Sequence, residues 1–436
     1  MNRRAVVTGM GVLTPIGIEL ESFWKAILCG KSGVGVISSF DASACPAKIA
    51  AEIKSDIFDT LHDVQPDNKL HLKPRSVQFA VAASRKAMKD AGLTKKNFRP
   101  ERAGLVIGVT EDMGYYIDKL SRLVYQTCEG NGTQMDVNVH RYIEGFNGSE
   151  DFRTQFLSSI PDHVISEIAS AYRLCGPCYA VNTACSSGSE AIGEAFRLIQ
   201  SGRADVMLCG GTQSFGGPAL LMTFSLLNSL STRNEVPEEA CRPFDATRDG
   251  FVLGEGAGII VLESLEHALR RDANIHGEII GFGAACDAYR VTDEHPDGRG
   301  VVQCIQNALS DAGLQPEAVD YINAHGTSTP MNDRIETLAI KRIFGEHAYQ
   351  IPISSSKSMT GHLIAAGGAV ELIICFLAIR DSLIPPTINY RYPDPDCDLD
   401  YVPNHYRKAT INIAVSNAFG FGGQCNSLIA SKFIFQ

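Results

Sequence analysis

Residues 87–93 read AMKDAGL and residues 308–314 read ALSDAGL. Each closes a helical run of apolar residues, from Val77 and from Val301, and each sets a Gly where a left-handed helix C-cap carries no Cβ penalty. A strand pattern follows in both places, AGLVIGV at 103–109 and VDYINAH at 319–325. Outward from this pair the parallel continues. Helix 163–173 matches 332–344, a short strand 179–183 matches 351–355, and a small-residue stretch opens a long apolar helix at 186–201 and again at 363–381. Strands then close each copy, ADVMLCGG and GAGIIVLES in the first, INIAVSN and NSLIAS in the second. The order β-α-β-α-β-α-β-β, given twice, predicts an α/β protein of two similar halves packed face to face, 1–270 and 271–436, with ligand sites where strand ends meet helix starts. The excess length of the first half falls near 30–70 and 112–160, and the second of these is a polar stretch that reads as a surface excursion or cap.

Composition narrows the class. Of 436 residues, 44% are hydrophobic and 20% charged, an ordinary globular balance. Lys plus Arg (39) against Asp plus Glu (49) leaves a net charge of -10, which argues against an electrostatic grip on nucleic acid or anionic lipid. The longest strongly apolar run, 369–379, is half of the ~20 residues a bilayer requires, and MNRRAVVTG has no signal-peptide pattern. Thirteen cysteines, an odd count in a long chain, point to a reducing cytosol with most thiols acting as small buried hydrophobes. Cys175-Gly-Pro-Cys178 spells a redox motif, but it follows a helix and enters a strand, whereas a redox CxxC begins a helix. Zinc lacks a second CxxC at ligand spacing. Gly9-Met-Gly11 and Gly281-Phe-Gly283 do not complete a dinucleotide fingerprint.

Cys185 stands in VNTACSSGSEAIG, between a strand and a helix start. There the helix's positive end and its unpaired N–H groups stabilise a thiolate and can supply an oxyanion hole; the alternative is a buried structural cysteine. His325 ends a strand in NAHGTSTPMNDRIE, and His362, in SSSKSMTGHLIAAGG, lies at the mouth of the second long helix, five residues after Lys357. Either histidine alone reads as structural. The repeat makes Cys185 and His362 equivalent helix starts with His325 on a neighbouring strand end, so the three are expected to converge.

TACSSG, NAHGTSTPMNDRIE, KSMTGHLIAAGG and NAFGFGGQCNSL, in that order, resemble the elongating beta-ketoacyl-acyl-carrier-protein synthases and their relatives, the type II polyketide ketosynthases. The likeness runs from RRAVVTGMGVLTPIG through CRPFDATRDGFVLGEGAG to the final strand. It implies the thiolase fold, a duplicated five-layered α/β/α/β/α arrangement, and decarboxylative condensation of an acyl-enzyme with malonyl-carrier protein. Carried over by motif, Cys185 takes the acyl group, and the N–H groups of Cys185 and Phe421 form the oxyanion hole. His325 and His362 donate to the malonyl thioester oxygen as neutral imidazoles; which of them also acts as a base stays open. Lys357 and Glu336 form a supporting charged pair, and Phe421 with Phe419 gates the site. Thr327 and Thr329 bind the phosphopantetheine arm, Thr292 and Asp287 belong to a second mobile loop beside it, and Glu111 and Phe224 stand at the acyl pocket. Lys69, Lys73 and Arg75 would receive an acidic acyl carrier protein.

The resemblance implies no metal and no cofactor beyond the carrier's arm. It also implies a cytoplasmic dimer, either with itself or with a ketosynthase-like chain-length factor. Serines after Cys185, the long 112–160 stretch, and Glu111 with Asp112 near the pocket floor tilt the reading toward a type II polyketide or polyene pathway, with housekeeping fatty-acid elongation as the alternative. A thiolase would need a second catalytic cysteine, for which Cys425 is the candidate. A non-condensing partner subunit would lack the intact Cys-His-His set.

Overall fold

A computed structural model of the chain describes residues 3–54, 70, 73–110 and 160–435, with isolated positions between 121 and 144. The first copy of the repeat consists of β1 (Ala5–Leu13), α1 (Arg75–Asp90), β2 (Ala103–Val109), α2 (Asp162–Tyr172), β3 (Cys178–Val181), α3 (Ser187–Gln200), β4 (Val206–Gln213) and β5 (Gly256–Ser264). The second consists of β6 (Gly277–Cys286), α4 (Arg299–Ala312), β7 (Tyr321–Asn323), α5 (Pro330–Phe344), β8 (Ile353–Ser354), α6 (Gly367–Asp381), β9 (Ile413–Gly420) and β10 (Gln424–Ser431). The ten strands form one sheet in the order β8-β7-β9-β10-β6-β1-β5-β4-β2-β3. Its two halves mirror each other about the β6–β1 seam, where Ala5 pairs with Ile279 and Val7 with Gly277. In both halves the three strands farthest from the seam run parallel and the remaining pairings are antiparallel.

Alternation along the strands builds the layers. Leu105 and Ile107 face outward onto Phe79, Met88 and Ile168 of α1 and α2, while Val106 faces inward. Ile322 and Val415 likewise meet Ile305 and Phe344 of α4 and α5. Between the two half-sheets lie α3 and α6, with Ile192, Phe196, Ile373 and Phe376 sharing one core. The result is α/β/α/β/α, as expected. Strands covered on both faces read as nearly continuous apolar runs, and α6, Glu371 apart, is apolar on every side from Gly367 to Ile379 because it is buried there.

The Gly-x-Gly pairs have a packing role. A Cβ on Gly11 would penetrate the Ala83 carbonyl oxygen of α1, and one on Gly283 would penetrate the Cys304 carbonyl oxygen of α4. The outer helices therefore cross β1 and β6 at equivalent glycines, just past a register shift in each strand. Strands 319–325 and 351–355 are shorter than expected, at three and two residues. The ladder on β7 stops because the Glu336 carboxylate takes the next N–H groups, those of His325 and Gly326. Cys178 opens β3 with no helix starting there, and the twelve cysteines among the described residues are free. No helix among the described residues is long and apolar enough to cross a membrane.

Candidate active site

Between β3 and α3 the chain makes a short 3-10 turn, Ala184–Ser186, entered through Ala184 in the left-handed region at φ 51. Short polar side chains hold this elbow. Asn182 Oδ1 accepts the Ala184 N–H at 3.2 Å, and Ser187 Oγ accepts the Thr183 N–H at 2.9 Å while donating to the Ala184 carbonyl at 2.6 Å. Ser186 Oγ donates to the Thr183 carbonyl at 2.8 Å. The thiol of Cys185 is thus presented from a fixed turn, and the residue is 7% exposed.

The second copy repeats the device before α6, with turn Ile364–Ala366 entered through Ile364 at φ 45. The structural counterpart of Cys185 is therefore Ala365. His362 lies three residues earlier, so the expectation that the two were equivalent helix starts is corrected: the left-handed residue sets the register, and its conformation is not written in the composition of either stretch. His362 is held by its own backbone, its N–H donating to the Val252 carbonyl at 2.7 Å and its carbonyl accepting from Gly254 at 2.9 Å. Phe251 packs edge-on against its ring at 5.2 Å.

His325 is held at the end of β7. Its N–H and that of Gly326 donate to the two Glu336 oxygens at 2.9 and 2.8 Å, and Asn417 Nδ2 donates to the same carboxylate at 3.1 Å. The imidazoles of His325 and His362 meet edge to face at 5.4 Å, and both Nδ1 atoms are buried without a hydrogen-bond partner among the described residues. Lys357, expected to pair with Glu336, instead pairs with Glu371 of α6. Both members of that pair are almost fully buried, and Glu336 is occupied by backbone. Burial, reinforced by the Lys357 charge, holds both histidines well below their usual range, so both are neutral. Burial also pushes Glu336 up to about 7.

Cys185 departs from the expected activated thiolate. Burial pushes its thiol up to about 12, against the opposing pull of Lys357 and of the N–H groups of Phe421 and Cys185 that face the sulfur. The resting group is a thiol.

The β9–β10 loop closes over the elbow. A Cβ on Gly420 would sit 2.5 Å from the Thr183 carbonyl oxygen and 3.0 Å from the Cys185 nitrogen, so only glycine lets this loop bring Phe421 to the sulfur. Phe419 packs on His325 at 5.3 Å, and Phe421 lies 6.2 Å from Phe224. The loop containing Asp287 and Thr292 is tied to it, since Asp287 N donates to the Gly423 carbonyl at 2.9 Å and Gly422 N to the Val291 carbonyl at 2.6 Å. The Asp287 carboxylate itself is spent on the N–H groups of His295 and Gly300.

Cys185, His325, His362, Phe419, Phe421, Phe224, Thr292, Thr327 and Thr329 line one cavity of about 310 Å³. Thr327 and Thr329 hydroxyls are 2.9 Å apart, and Thr329 also caps α5 by accepting the Asn332 N–H at 3.3 Å. Cys425 is absent from this lining; it is buried in the outer core with Cys304.

Lys69 and Glu111 lie outside the described residues. Lys73 pairs with Glu167, and Arg75 pairs with the buried Glu255 at 2.6 Å while lying over Phe79 at 5.0 Å. The two described members of the anticipated basic docking cluster are thus already paired with carboxylates of the same fold. Sequence reading missed Glu371, Phe251, Asn417 and Glu294. Only Glu371 had a signal, a charge inside the apolar run 369–379.

Residues 2–268 match the family model for the beta-ketoacyl synthase N-terminal domain and residues 276–391 that for the beta-ketoacyl synthase C-terminal domain. The 3-oxoacyl-[acyl-carrier-protein] synthase 2 of Coxiella burnetii (strain RSA 493 / Nine Mile phase I) is 44% identical over 431 residues, 99% of each chain. Among solved structures, a type II polyketide ketosynthase in complex with its acyl-carrier protein superposes with a TM-score of 0.87 at 35% identity, covering 99% of this chain and 100% of that one. The ishigamide ketosynthase/chain length factor gives a TM-score of 0.87 at 34% identity, covering all of both chains.

Proposed function

The chain belongs to the beta-ketoacyl synthase family and is a condensing acyltransferase, and from that premise we propose that it joins an acyl group carried on Cys185 to the two-carbon unit left when malonyl-carrier protein loses carbon dioxide. The observation that carries this reading is the convergence of Cys185, His325 and His362 on one cavity, with the Cys185 and Phe421 N–H groups at the sulfur.

In the first stage the Cys185 sulfur adds to the thioester carbonyl of an acyl carrier, and the developing oxyanion is met by those two N–H groups. The thiol proton passes to a neutral imidazole and then to the departing pantetheine sulfur as its C–S bond breaks. In the second stage the malonyl C–CO₂ bond breaks and carbon dioxide leaves. Its electron pair enters the enolate, whose oxygen accepts hydrogen bonds from His325 and His362. The enolate carbon attacks the acyl carbonyl, the Cys185 C–S bond breaks, and the thiolate released takes a proton from water. Neutral imidazoles suit this step, since each offers a donor without carrying a proton the enolate could capture at once. Burial keeps the histidines neutral, and the Lys357 charge, held in place by Glu371, adds to it. In this scheme the chain needs no cofactor of its own, because the reacting groups arrive on the carrier's phosphopantetheine arm, past Thr327, Thr329 and Thr292.

Cys185→Ala is expected to lose the acyl-enzyme mass increment when incubated with acyl-carrier protein. Acylation that persists in that variant overturns the reading. His325→Ala and His362→Ala should still load acyl groups but lose about 10²–10³-fold in malonyl decarboxylation.

For the pathway, fatty-acid elongation is at least as well supported as polyketide synthesis. The synthase 2 relative is 44% identical, against 35% for the polyketide ketosynthase. One of the features that tilted toward polyketides, the serine pair after Cys185, has a local role in pinning the elbow. The fold likeness to a ketosynthase/chain length factor keeps the polyketide reading as the second one, with a ketosynthase-like chain as partner. Loading rates from saturated and from polyene acyl carriers, measured side by side, separate the two.

A further inference from the structure

The cavity wall carries a charge that the scheme above does not use. Asp249, Asp293 and Glu294 line the cavity, and neither Lys nor Arg does. Asp293 is paired with Arg290 at 3.2 Å and Asp249 with Arg233 at 3.5 Å. Glu294 differs: among the described residues no side chain donates to its carboxyl, and only its own backbone N–H does. Its charge reaches the Cys185 sulfur, the place where acyl group and extender must meet.

Deepening the condensing reading and resting on it, we propose that the Glu294 carboxyl is a specificity-determining group for the anionic extender. Uncharged, it donates a hydrogen bond to the incoming malonyl carboxylate. Ionised, it repels that carboxylate, whereas an uncharged acyl group feels no such repulsion.

The surroundings set which form is present. Asp287 and Asp293 on its own loop and Asp333 at the start of α5 oppose its ionisation, and with burial they push it up to about 7. Asp333 is offset by Arg248 at 3.5 Å, and Asp287 spends its oxygens on backbone N–H groups. The cavity's histidines are neutral, Cys425 on β10 is a buried thiol, and Lys357 lies behind the histidines on Glu371. Among the described residues no cation pairs with Glu294 to hold it ionised, so its charge changes in the neutral pH range.

The test uses the full chain, first acylated on Cys185 by acetyl-pantetheine, with malonyl-pantetheine as extender probe so that no carrier protein titrates. With the extender bound only by the uncharged form, the malonyl-pantetheine KM should rise about tenfold between pH 6 and pH 8 as the competent fraction falls, with kcat little changed. Glu294→Gln should keep KM flat over that range, and Asp293→Asn, which removes a charge that opposes Glu294 ionisation, should keep the rise but move its midpoint to lower pH. Glu336 also titrates near neutral pH, so a slope that survives in Glu294→Gln overturns the proposal and points to Glu336. A flat wild-type KM overturns it as well. Absence of any acyl group on Cys185 at every pH is a different failure, which removes the condensing reading itself.

Discussion

At the scale of single residues, the site depends on where two buried charges find partners. Lys357 and Glu371 are almost wholly removed from water, so each is tolerable only because of the other. Glu371→Ala is expected to destabilise the protein by about 3–5 kcal/mol, whereas Lys357→Met combined with Glu371→Leu should recover most of that loss, as read from urea unfolding midpoints. Glu336 makes a pH prediction. Its folded value, about 7, lies above the unfolded 4.5, so the stability it contributes is complete below the unfolded value and is lost as pH rises through 7. Replacement by Gln, which does not ionise, should flatten the fall in Tm between pH 5 and pH 7.5 relative to wild type, whatever offset the lost hydrogen bond introduces. The sequence marked Cys185, His325 and His362 because their neighbours are distinctive. It could not mark the partner of Lys357: Glu336 and Glu371 stand 21 and 14 residues away, and neither spacing decides between them.

At the scale of elements, glycines set how closely one piece of backbone approaches another. Gly420 lets the β9–β10 loop lie on the elbow, and Gly420→Ala should push that loop back and withdraw the Phe421 N–H from the sulfur. Acyl transfer to Cys185 should then fall about 10²–10³-fold in stopped-flow loading assays, with a much smaller change in Tm. Gly283→Ala tests the opposite case. It crowds α4 against β6 outside the cavity lining, and should cost about 1–3 kcal/mol of stability while leaving activity per folded molecule unchanged. Helix and strand order was legible from periodicity, since α1, α4, β2 and β5 fall where their apolar patterns place them. The shortness of β7 and β8 was not legible, because a carboxylate from α5 and the Thr387 hydroxyl take backbone N–H groups that the pattern assigns to a ladder.

At the scale of the whole molecule, the two copies are one cooperative body. The core around α3 is completed by Leu372, Ile373 and Phe376 of α6, and β1 is hydrogen-bonded to β6 across the seam. Calorimetry of the full chain should therefore show a single unfolding transition, and a fragment ending at residue 270 should expose that core and bind a hydrophobic dye; two separate transitions would contradict this. The sequence by itself determined the duplicated α/β order and singled out Cys185, His325 and His362 as a converging set. Those follow from local periodicity and short motifs, where each residue's immediate neighbours set its conformation. Only the tertiary structure decided that Lys357 answers to Glu371, that Ala365 is the counterpart of Cys185, that Lys73 and Arg75 are already paired, and that Glu294 lines the cavity with no side-chain donor among the described residues. Each of these is a relation between side chains brought together by packing, and burial then fixes their charge; a linear pattern carries neither the distance nor the dielectric.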